Sequence, residues 1–224
     1  MSAPGLRLFV ALDAPAVVVQ DLASAVQAVS TDRPWLRWVP AERWHLTLAF
    51  LGQVDAGRVG PLCVRLARAA TRHQPMTLQL AGAGRFGSRV LWIGLRGAVA
   101  DVGRLADSVA AGSRRVGIPV EDRPYRPHLT VARGRDPRTD LRPAVAALTD
   151  YAGPTWTAAE VHLVRSHLGA ALRYERLATF PLGPSVTAPT AEPAGTTEPP
   201  AAPRACEPRA TGRPGSGCRG RSSG

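Results

Sequence analysis

Apolar and polar residues alternate in several short stretches of the chain, and longer stretches repeat apolar residues at helical spacing. Alternation is typical of a half-buried strand, and helical spacing is typical of a helix packed on one face. The pattern predicts strands at residues 6–12, 35–39, 45–51, 76–80, 90–95, 128–133, 156–166 and 173–180. It predicts helices at 14–30, 54–73 and 99–116, and a short helix or loop at 136–148. Asp13 is expected to cap the first helix, Gly52 to end its strand, and residues 82–84 to form a bend. This mixed order predicts an α+β fold of two antiparallel-rich sheets with outer helices around a central cleft.

A single offset of 83 residues relates the two halves of the chain. It carries a histidine and two apolar segments onto their counterparts: His45 onto His128, residues 8–12 onto 91–95, and 22–26 onto 105–109. Self-similarity at a fixed spacing indicates internal duplication. Two copies predict two pseudo-symmetric lobes that share a cleft.

Each half contains the tripeptide His-Leu-Thr followed by apolar residues. Alternate side chains of a strand point to the same face. His45 and Thr47 are therefore expected to face the cleft, with Leu46, Leu48 and Phe50 on the opposite face. The second copy repeats this arrangement.

The strand next to each motif strand carries an aromatic residue. Strand parity puts Phe9 and Ala11 on the cleft face, and the offset puts Trp92 and Gly94 at the equivalent positions. Phe9 or Trp92 could stack on a nucleobase, an interaction worth about 1–3 kcal/mol. Alternatively, each ring simply fills the surface of its sheet.

Arg133 lies just beyond the second motif, and its guanidinium could bind a phosphate through two hydrogen bonds. Strict alternation turns it away from the cleft, so it needs a bulge or a strand end to reach a ligand there. Arg123 and Arg126 flank the same motif.

A pair of histidines is suited to proton transfer, because imidazole titrates near neutral pH and one ring can act as base while the other acts as acid. Hydrolysis of a strained phosphodiester needs such a pair, and hydrogen-bond donors that stabilise the charge on the phosphate oxygens. His45 and His128 are the candidate catalytic residues, and the hydroxyls of Thr47 and Thr130 are the candidate donors. One His-x-Thr is a weak signal, but its repetition at equivalent positions makes it specific. The other three histidines lack that context and are expected on a helix surface, a strand surface and a loop.

Residues 184–224 contain no Leu, Ile, Phe, Trp or Tyr. Such a segment cannot bury enough apolar surface to offset the entropy of ordering, so we expect a disordered tail after a domain formed by residues 1–183. The net charge of +11 favours an anionic partner through its long-range field. The complete replacement of Lys by Arg equally fits a compositional bias.

The three cysteines are an odd number without metal-ligand spacing, which argues for a reducing compartment. The N-terminus lacks the pattern of a signal peptide, and no apolar stretch is long enough to span a bilayer. We therefore expect a cytoplasmic monomer that binds neither a membrane nor a metal ion and needs no cofactor.

Four segments carry a family resemblance: RLFVAL at 7–12, HLTLAFLG at 45–52, SRVLWIG at 88–94 and RPHLTVAR at 126–133. With both motifs in register, the chain resembles the 2H phosphoesterases. Within them it is similar to the bacterial and archaeal RNA 2′,3′-cyclic phosphodiesterases, once called 2′-5′ RNA ligases. The resemblance covers about residues 5–182 and leaves out the tail.

The resemblance implies a bilobal fold and hydrolysis of the 2′,3′-cyclic phosphate at an RNA end to a 2′-phosphate. It also implies an ability to join RNA ends through a 2′-5′ linkage. It makes His45 the proton donor and His128 the acceptor, an assignment that the symmetric motifs alone do not make.

Other functions stay open on the sequence alone. The same cleft could act on small cyclic nucleotides or 2′-5′ oligonucleotides, because the motifs are suited to phosphate and not to a base. The chain could also be a non-catalytic RNA- or nucleotide-binding module, although two intact histidines argue against that. A metal site built on the two histidines is a further alternative, which EDTA would test.

Overall fold

Nine β-strands and four α-helices follow one another in mixed order within residues 5–168 and 172–183, the part of the chain that the computed structural model describes. The strands are β1 (Leu6–Leu12), β2 (Leu36–Trp38), β3 (Leu46–Val54), β4 (Met76–Phe86), β5 (Val90–Gly97), β6 (Leu129–Gly134), β7 (Ala152–Ala158), β8 (Glu160–His167) and β9 (Arg173–Pro181). The helices are α1 (Ala16–Ser30), α2 (Ala56–Ala70), α3 (Val99–Arg114) and α4 (Arg142–Leu148). The predicted tail at residues 184–224 lies outside the described residues.

These strands form one antiparallel sheet in the order β7-β4-β5-β6-β3-β1-β8-β9, with β2 paired to β6. Its centre is the pair β3 and β6, which carry the two motifs and are joined by one bridge between Leu46 and Leu129. Strands β3, β1, β8 and β9 make up the first lobe, and β6, β5, β4 and β7 the second lobe. The predicted α+β fold is confirmed, and its two expected sheets are continuous because the motif strands pair with each other.

The internal duplication is visible in the order of the elements. The offset of 83 residues carries β1 onto β5, α1 onto α3 and β3 onto β6 to within a few residues. Helices α1 and α3, however, exchange sides, so that α2 and α3 pack over the first lobe, and α1 and α4 over the second. The two halves of the chain are therefore interlocked around one hydrophobic core.

The core lies between the sheet and the helices. Leu46 and Leu129 at the central bridge are fully buried in it, and so is the apolar stripe of α1 that includes Val18 and Leu22. Each fully buried aliphatic side chain contributes about 1.5–3 kcal/mol relative to an exposed one. The helices cover one face of the sheet, so the other face is left for a cleft.

The stretch predicted as one strand at residues 156–166 forms two, β7 and β8, which belong to different lobes. The edge strand β7 shows alternating burial, whereas β8 is buried on both faces from Val161 to Val164. Val161 and Leu163 lie in the main core, and Val164 packs against Phe9 and Tyr174 on the other face. The prediction was wrong because both segments are rich in strand-forming residues and no turn residue separates them.

Two predictions about the ends of elements were also wrong. Helix α1 begins after Pro15 without a side-chain cap, and the Asp13 carboxylate instead accepts a hydrogen bond of 2.5 Å from Arg176 on β9. Gly52 has positive φ inside β3 and does not end it. Gly82, in the bend predicted at residues 82–84, also has positive φ and lies inside the longer strand β4. Each lies at a shift of the strand register, where a bulge absorbs an extra residue.

Candidate active site

The two His-Leu-Thr motifs meet at the centre of the sheet. The bridge between Leu46 and Leu129 joins the residues that directly follow His45 and His128. Both leucines are fully buried toward the helices, so the flanking histidines and threonines lie on the opposite, open face. The predicted convergence of the motifs on a shared cleft therefore agrees with the geometry.

Both histidine rings are held in the same way by the backbone. Nδ1 of His45 lies 2.8 Å from the carbonyl oxygen of Arg43, and Nδ1 of His128 lies 2.6 Å from that of Arg126. A carbonyl oxygen only accepts hydrogen bonds, so Nδ1 is the nitrogen that carries the proton and donates it. In the neutral rings this leaves Nε2 without a proton and free to act as a base.

In the first lobe, two aromatic rings enclose His45. Phe9 stacks on the imidazole with 4.6 Å between ring centroids and 28° between planes, and Tyr174 meets it edge-on at 5.3 Å and 86°. Phe9 is only 3 % exposed, so little of its surface is left for a ligand. The predicted position of Phe9 agrees with the geometry, and its main contact is the histidine itself.

In the second lobe, two aromatic rings stand in corresponding places around His128. Phe86 meets the imidazole edge-on at 4.9 Å and 87°, and Trp92 lies at 6.3 Å and 56°. Trp92 is half-buried, and its indole covers Gly84 on the paired strand, where a Cβ would overlap the ring. Trp92 therefore keeps more open surface toward the cleft than Phe9 does.

Both motif strands contain an extra residue directly after the threonine. Leu48 in β3 and Val131 in β6 fall at shifts of the register with β1 and β5. A bulge of this kind interrupts the alternation of faces. Phe50 and Arg133, which occupy equivalent positions in the two halves, consequently turn toward the cleft.

The predicted face of Phe50 was wrong. Its side chain is 53 % exposed on the cleft face, with its ring 6.1 Å from that of Phe9. Strict alternation put it in the core because the bulge is invisible to that rule. The available signal was the pair of consecutive apolar residues, Leu48 and Ala49, which are both buried.

The equivalent bulge at Val131 in β6 allows Arg133 to reach the cleft. Arg133 is exposed and pairs with Val90 on β5, which has the same strand parity as Trp92. Its positive charge lowers the pKa of both His45 and His128. The guanidinium therefore lies within electrostatic reach of both imidazoles.

The charges around the two histidines differ. Burial is the main factor that lowers the pKa of His45, while the Arg43 carbonyl and the Asp13 carboxylate oppose it. Burial also lowers the pKa of His128, the Arg126 carbonyl opposes it, and the charges of Arg123 and Arg133 add to the lowering. Burial and Arg133 thus disfavour the protonated form of both rings, while Asp13 opposes this only at His45 and Arg123 adds to it only at His128.

A pocket of about 190 Å³ opens beside His45. Aromatic and apolar side chains and four charged ones line it: Phe9, Trp44, Val164, Tyr174, Asp13, Glu42, Arg43 and Arg176. Two of these are carboxylates, so this side of the cleft is mixed in charge.

The motif threonines are available to a ligand. In the described part of the chain, the hydroxyls of Thr47 and Thr130 have no hydrogen-bond partner in the protein, and both residues are half-buried. The Tyr125 hydroxyl donates to the Thr47 carbonyl at 3.0 Å, and burial raises the pKa of Tyr125, which keeps that donor protonated. This bond ties the loop before the second motif to the first motif strand.

The remaining histidines have structural partners. His73 lies 2.9 Å from the Ser108 hydroxyl, and His167 lies 2.6 Å from the Glu175 carboxylate. His162 was predicted on a strand surface, but it is only 4 % exposed, because β8 is covered on both faces.

Among the residues described, no group of three or more His, Cys, Asp or Glu side chains could hold a metal ion. No helix in that part of the chain is both long and apolar enough to cross a membrane.

Comparison with known families and proteins gives a consistent result. The family model described as the 2′-5′ RNA ligase superfamily matches residues 12–170. The chain is 34% identical over 154 residues to an RNA 2′,3′-cyclic phosphodiesterase of Escherichia coli, a match that covers 65% of this chain and 86% of that protein. It is 33% identical over 157 residues to one of Geobacillus stearothermophilus, covering 68% of this chain and 50% of the relative, so it spans about half that relative's length.

Solved structures agree with the sequence matches. The apo crystal structure of E. coli LigT aligns with a TM-score of 0.66 at 28% identity and covers 81% of this chain and 100% of that one. A structure from Thermus thermophilus aligns with a TM-score of 0.65 at 29% identity and covers 79% of this chain and 98% of that one.

Proposed function

Because the chain belongs to the 2′-5′ RNA ligase superfamily, a family with several RNA 2′,3′-cyclic phosphodiesterases among its members, we propose that it hydrolyses the 2′,3′-cyclic phosphodiester at RNA ends to a 2′-phosphomonoester. The observation that carries this proposal is the pair of equivalent histidines on one cleft. Each donates Nδ1–H to a backbone carbonyl and keeps Nε2 for chemistry. One imidazole can therefore transfer a proton on each side of the phosphorus atom.

In the proposed reaction, His128 begins neutral and His45 begins protonated. Nε2 of His128 takes a proton from water as the water oxygen bonds to phosphorus. The bond between phosphorus and O3′ breaks, and Nε2 of His45 gives its proton to O3′. The phosphate stays on O2′, and a proton exchange with solvent restores both rings.

The charges near the two rings support this division of roles. The Asp13 carboxylate favours the protonated form of His45, as an acid requires. Arg123 favours the neutral form of His128, as a base requires, whereas Arg133 acts on both rings. The same assignment is implied by the family resemblance, so two independent arguments agree.

The threonines and Arg133 would stabilise the charge that builds on the phosphate. The hydroxyls of Thr47 and Thr130 donate to the two non-bridging oxygens, where negative charge increases in the transition state. Arg133 adds a charge-assisted hydrogen bond, which is about twice as strong as a neutral one. Phe9 positions His45 through stacking, and Trp92 has the open surface to contact the ribose or base.

The same groups would also account for 2′-5′ joining of RNA ends. A 5′-hydroxyl that replaces water loses its proton to His128 and bonds to phosphorus, and O3′ leaves with the proton of His45. The product is a 2′-5′ phosphodiester.

The deciding experiment is turnover of a short RNA that ends in a 2′,3′-cyclic phosphate, with EDTA present and the phosphate position of the product determined. We expect a 2′-phosphate at an undiminished rate. A 3′-phosphate product would contradict the proposed leaving group, and inhibition by EDTA would indicate a metal site. Tight RNA binding without turnover would favour the binding module, and turnover confined to small cyclic nucleotides or 2′-5′ oligonucleotides would change the substrate class.

A further inference from the structure

Strand β2 widens the cleft face of the second lobe. It pairs with the end of β6, where β3 no longer runs alongside, and places Arg37 opposite Arg133. Leu36 is buried and Trp38 packs against the core. Arg37 therefore points the other way, to the face on which Arg133 lies, and it is exposed.

The pairing of Arg37 with Arg133 is unfavourable in the free protein. Like charges directly opposite each other on adjacent strands destabilise a sheet. Within residues 5–168 and 172–183, neither guanidinium forms an ion pair with a carboxylate. An anion that lies between or along the two side chains would remove this repulsion.

An exposed aromatic residue lies in the turn that leads into β2, two residues before Arg37. Trp35 precedes β2 by one residue and is 50 % exposed. A groove of positive charges with an aromatic ring for base stacking is the arrangement that binds single-stranded nucleic acid. The other side of the cleft is less suitable for a polyanion, because Asp13 and Glu42 offset the charges of Arg43 and Arg176 in the pocket beside His45.

We propose that Arg133, Arg37 and Trp35 form a track for the RNA strand that precedes the cyclic phosphate. Arg133 binds the reacting phosphate, Arg37 binds the next phosphate of the chain, and Trp35 stacks on a base further from the end. The inference rests on the proposed function, since it assumes that the reacting group is the end of an RNA strand.

The test compares two substrates with the same terminal nucleotide, a 2′,3′-cyclic mononucleotide and a hexanucleotide that ends in a 2′,3′-cyclic phosphate. We expect wild type to have the higher kcat/KM for the hexanucleotide. Arg37→Ala should lower kcat/KM about tenfold more for the hexanucleotide than for the mononucleotide, because a charge-assisted contact is lost. The slope of log kcat/KM against log salt for the hexanucleotide should fall by about 0.7, the value for one single-strand phosphate contact.

Trp35→Ala should also lower kcat/KM for the hexanucleotide, by about fivefold or more relative to the mononucleotide. The salt slope should not change, because no charge is removed. Arg68→Ala, an exposed arginine on α2, is the matched control. It removes the same charge from the helical side of the molecule, and kcat/KM for both substrates should stay at the wild-type value. If Arg37→Ala and Trp35→Ala lower kcat/KM equally for the two substrates, the track is wrong. It is also wrong if Arg68→Ala lowers kcat/KM for the hexanucleotide as much as Arg37→Ala does.

A binding measurement separates this inference from the proposed function. Fluorescence anisotropy with a 5′-labelled hexanucleotide that ends in a 2′-phosphate needs no turnover. Weaker binding by Arg37→Ala and Trp35→Ala, together with no turnover of any cyclic phosphate by wild type, would reject the proposed function and support the track. Wild-type binding by both variants would reject the track, whatever the turnover.

Discussion

His45 and His128 donate Nδ1–H to the carbonyl two residues earlier, and each meets one aromatic ring edge-on, Tyr174 or Phe86. The charges that act on them are different. Burial and the charge of Arg133 lower the pKa of both rings, but the Asp13 carboxylate opposes this at His45, whereas Arg123 adds to it at His128. The duplication thus preserved the way in which each imidazole is held, while the charges around the two rings differ, as the proposed division into acid and base requires.

The lobes differ in a second respect, at the positions just past the bulges. The first lobe has Phe50 and the second has Arg133, and both face the cleft. The first lobe also has a buried aromatic, Phe9, where the second has the more open Trp92. The first lobe therefore offers the exposed ring of Phe50, and the second offers the positive charge of Arg133 together with the more open ring of Trp92.

The strongest test of this comparison is the removal of each imidazole. His45→Ala and His128→Ala should each lower kcat by about 10²–10⁴-fold while the protein still folds. A phosphodiester with a p-nitrophenolate leaving group needs no proton donor, so it should restore most of the rate in His45→Ala and none in His128→Ala. The opposite pattern would exchange the roles, and rates within about tenfold of wild type in both variants would refute two-histidine catalysis.

Substitution of Phe9 and of Trp92 should separate an effect on protein stability from an effect on RNA binding. Phe9→Ala should lower the free energy of unfolding by about 3–5 kcal/mol, because the ring is buried against His45, Val164 and Tyr174. Trp92→Ala should lower the free energy of unfolding less than Phe9→Ala does, and it should lower RNA affinity more. Chemical denaturation and RNA titration would measure the two effects, and unchanged RNA affinity in Trp92→Ala would contradict a ligand contact there.

The indole of Trp92 depends on the glycine beneath it. Gly84→Ala places a Cβ where the ring lies, which should cost about 1–3 kcal/mol of stability and weaken RNA binding in parallel. Gly103→Ala is the control, because nothing lies within 4 Å of the added Cβ on α3, and it should stabilise by about 0.5–1 kcal/mol. Equal thermal unfolding of Gly84→Ala and wild type would show that the indole can move freely.

The charge difference itself can be removed by Asp13→Asn. Burial lowers the pKa of His45 and the carboxylate opposes this, so its loss lowers that pKa further and reduces the protonated fraction of the proposed acid at neutral pH. The basic limb of the profile of kcat/KM against pH should move to lower pH, with a loss of about tenfold at pH 8 if the pKa falls by one unit. Glu160→Gln is the control, since Glu160 lies near His162. A shift of the acidic limb instead would assign the acid role to His128.

The smallest effect is expected from removal of residues 184–224, which we propose are not needed for folding or catalysis by residues 1–183. A chain that ends at residue 183 should keep kcat/KM within about twofold of wild type. A larger loss of activity or of stability would show that the tail contributes to one of the lobes.

Much of the site follows from local sequence pattern. Alternation places His45, Thr47 and Phe9 on one face, and the offset of 83 residues extends this to the second half. The same rule failed for Phe50, because the rule assumes an unbroken ladder and Leu48 has no partner in it. The sequence predicts that Arg133 reaches the cleft only if its strand bulges or ends there. Only the structure shows the bulge.

The sequence by itself determined the duplication, the two motifs, the residues that share a strand face and the family. These depend on the order of neighbouring residues, which backbone geometry translates directly into faces. Only the tertiary structure decided where the strands bulge and that β2 lies beside the end of β6. It also decided that Asp13, which accepts a hydrogen bond from Arg176, lies near His45. Those features depend on pairing and electrostatic fields between residues far apart in the chain, and no local periodicity contains them.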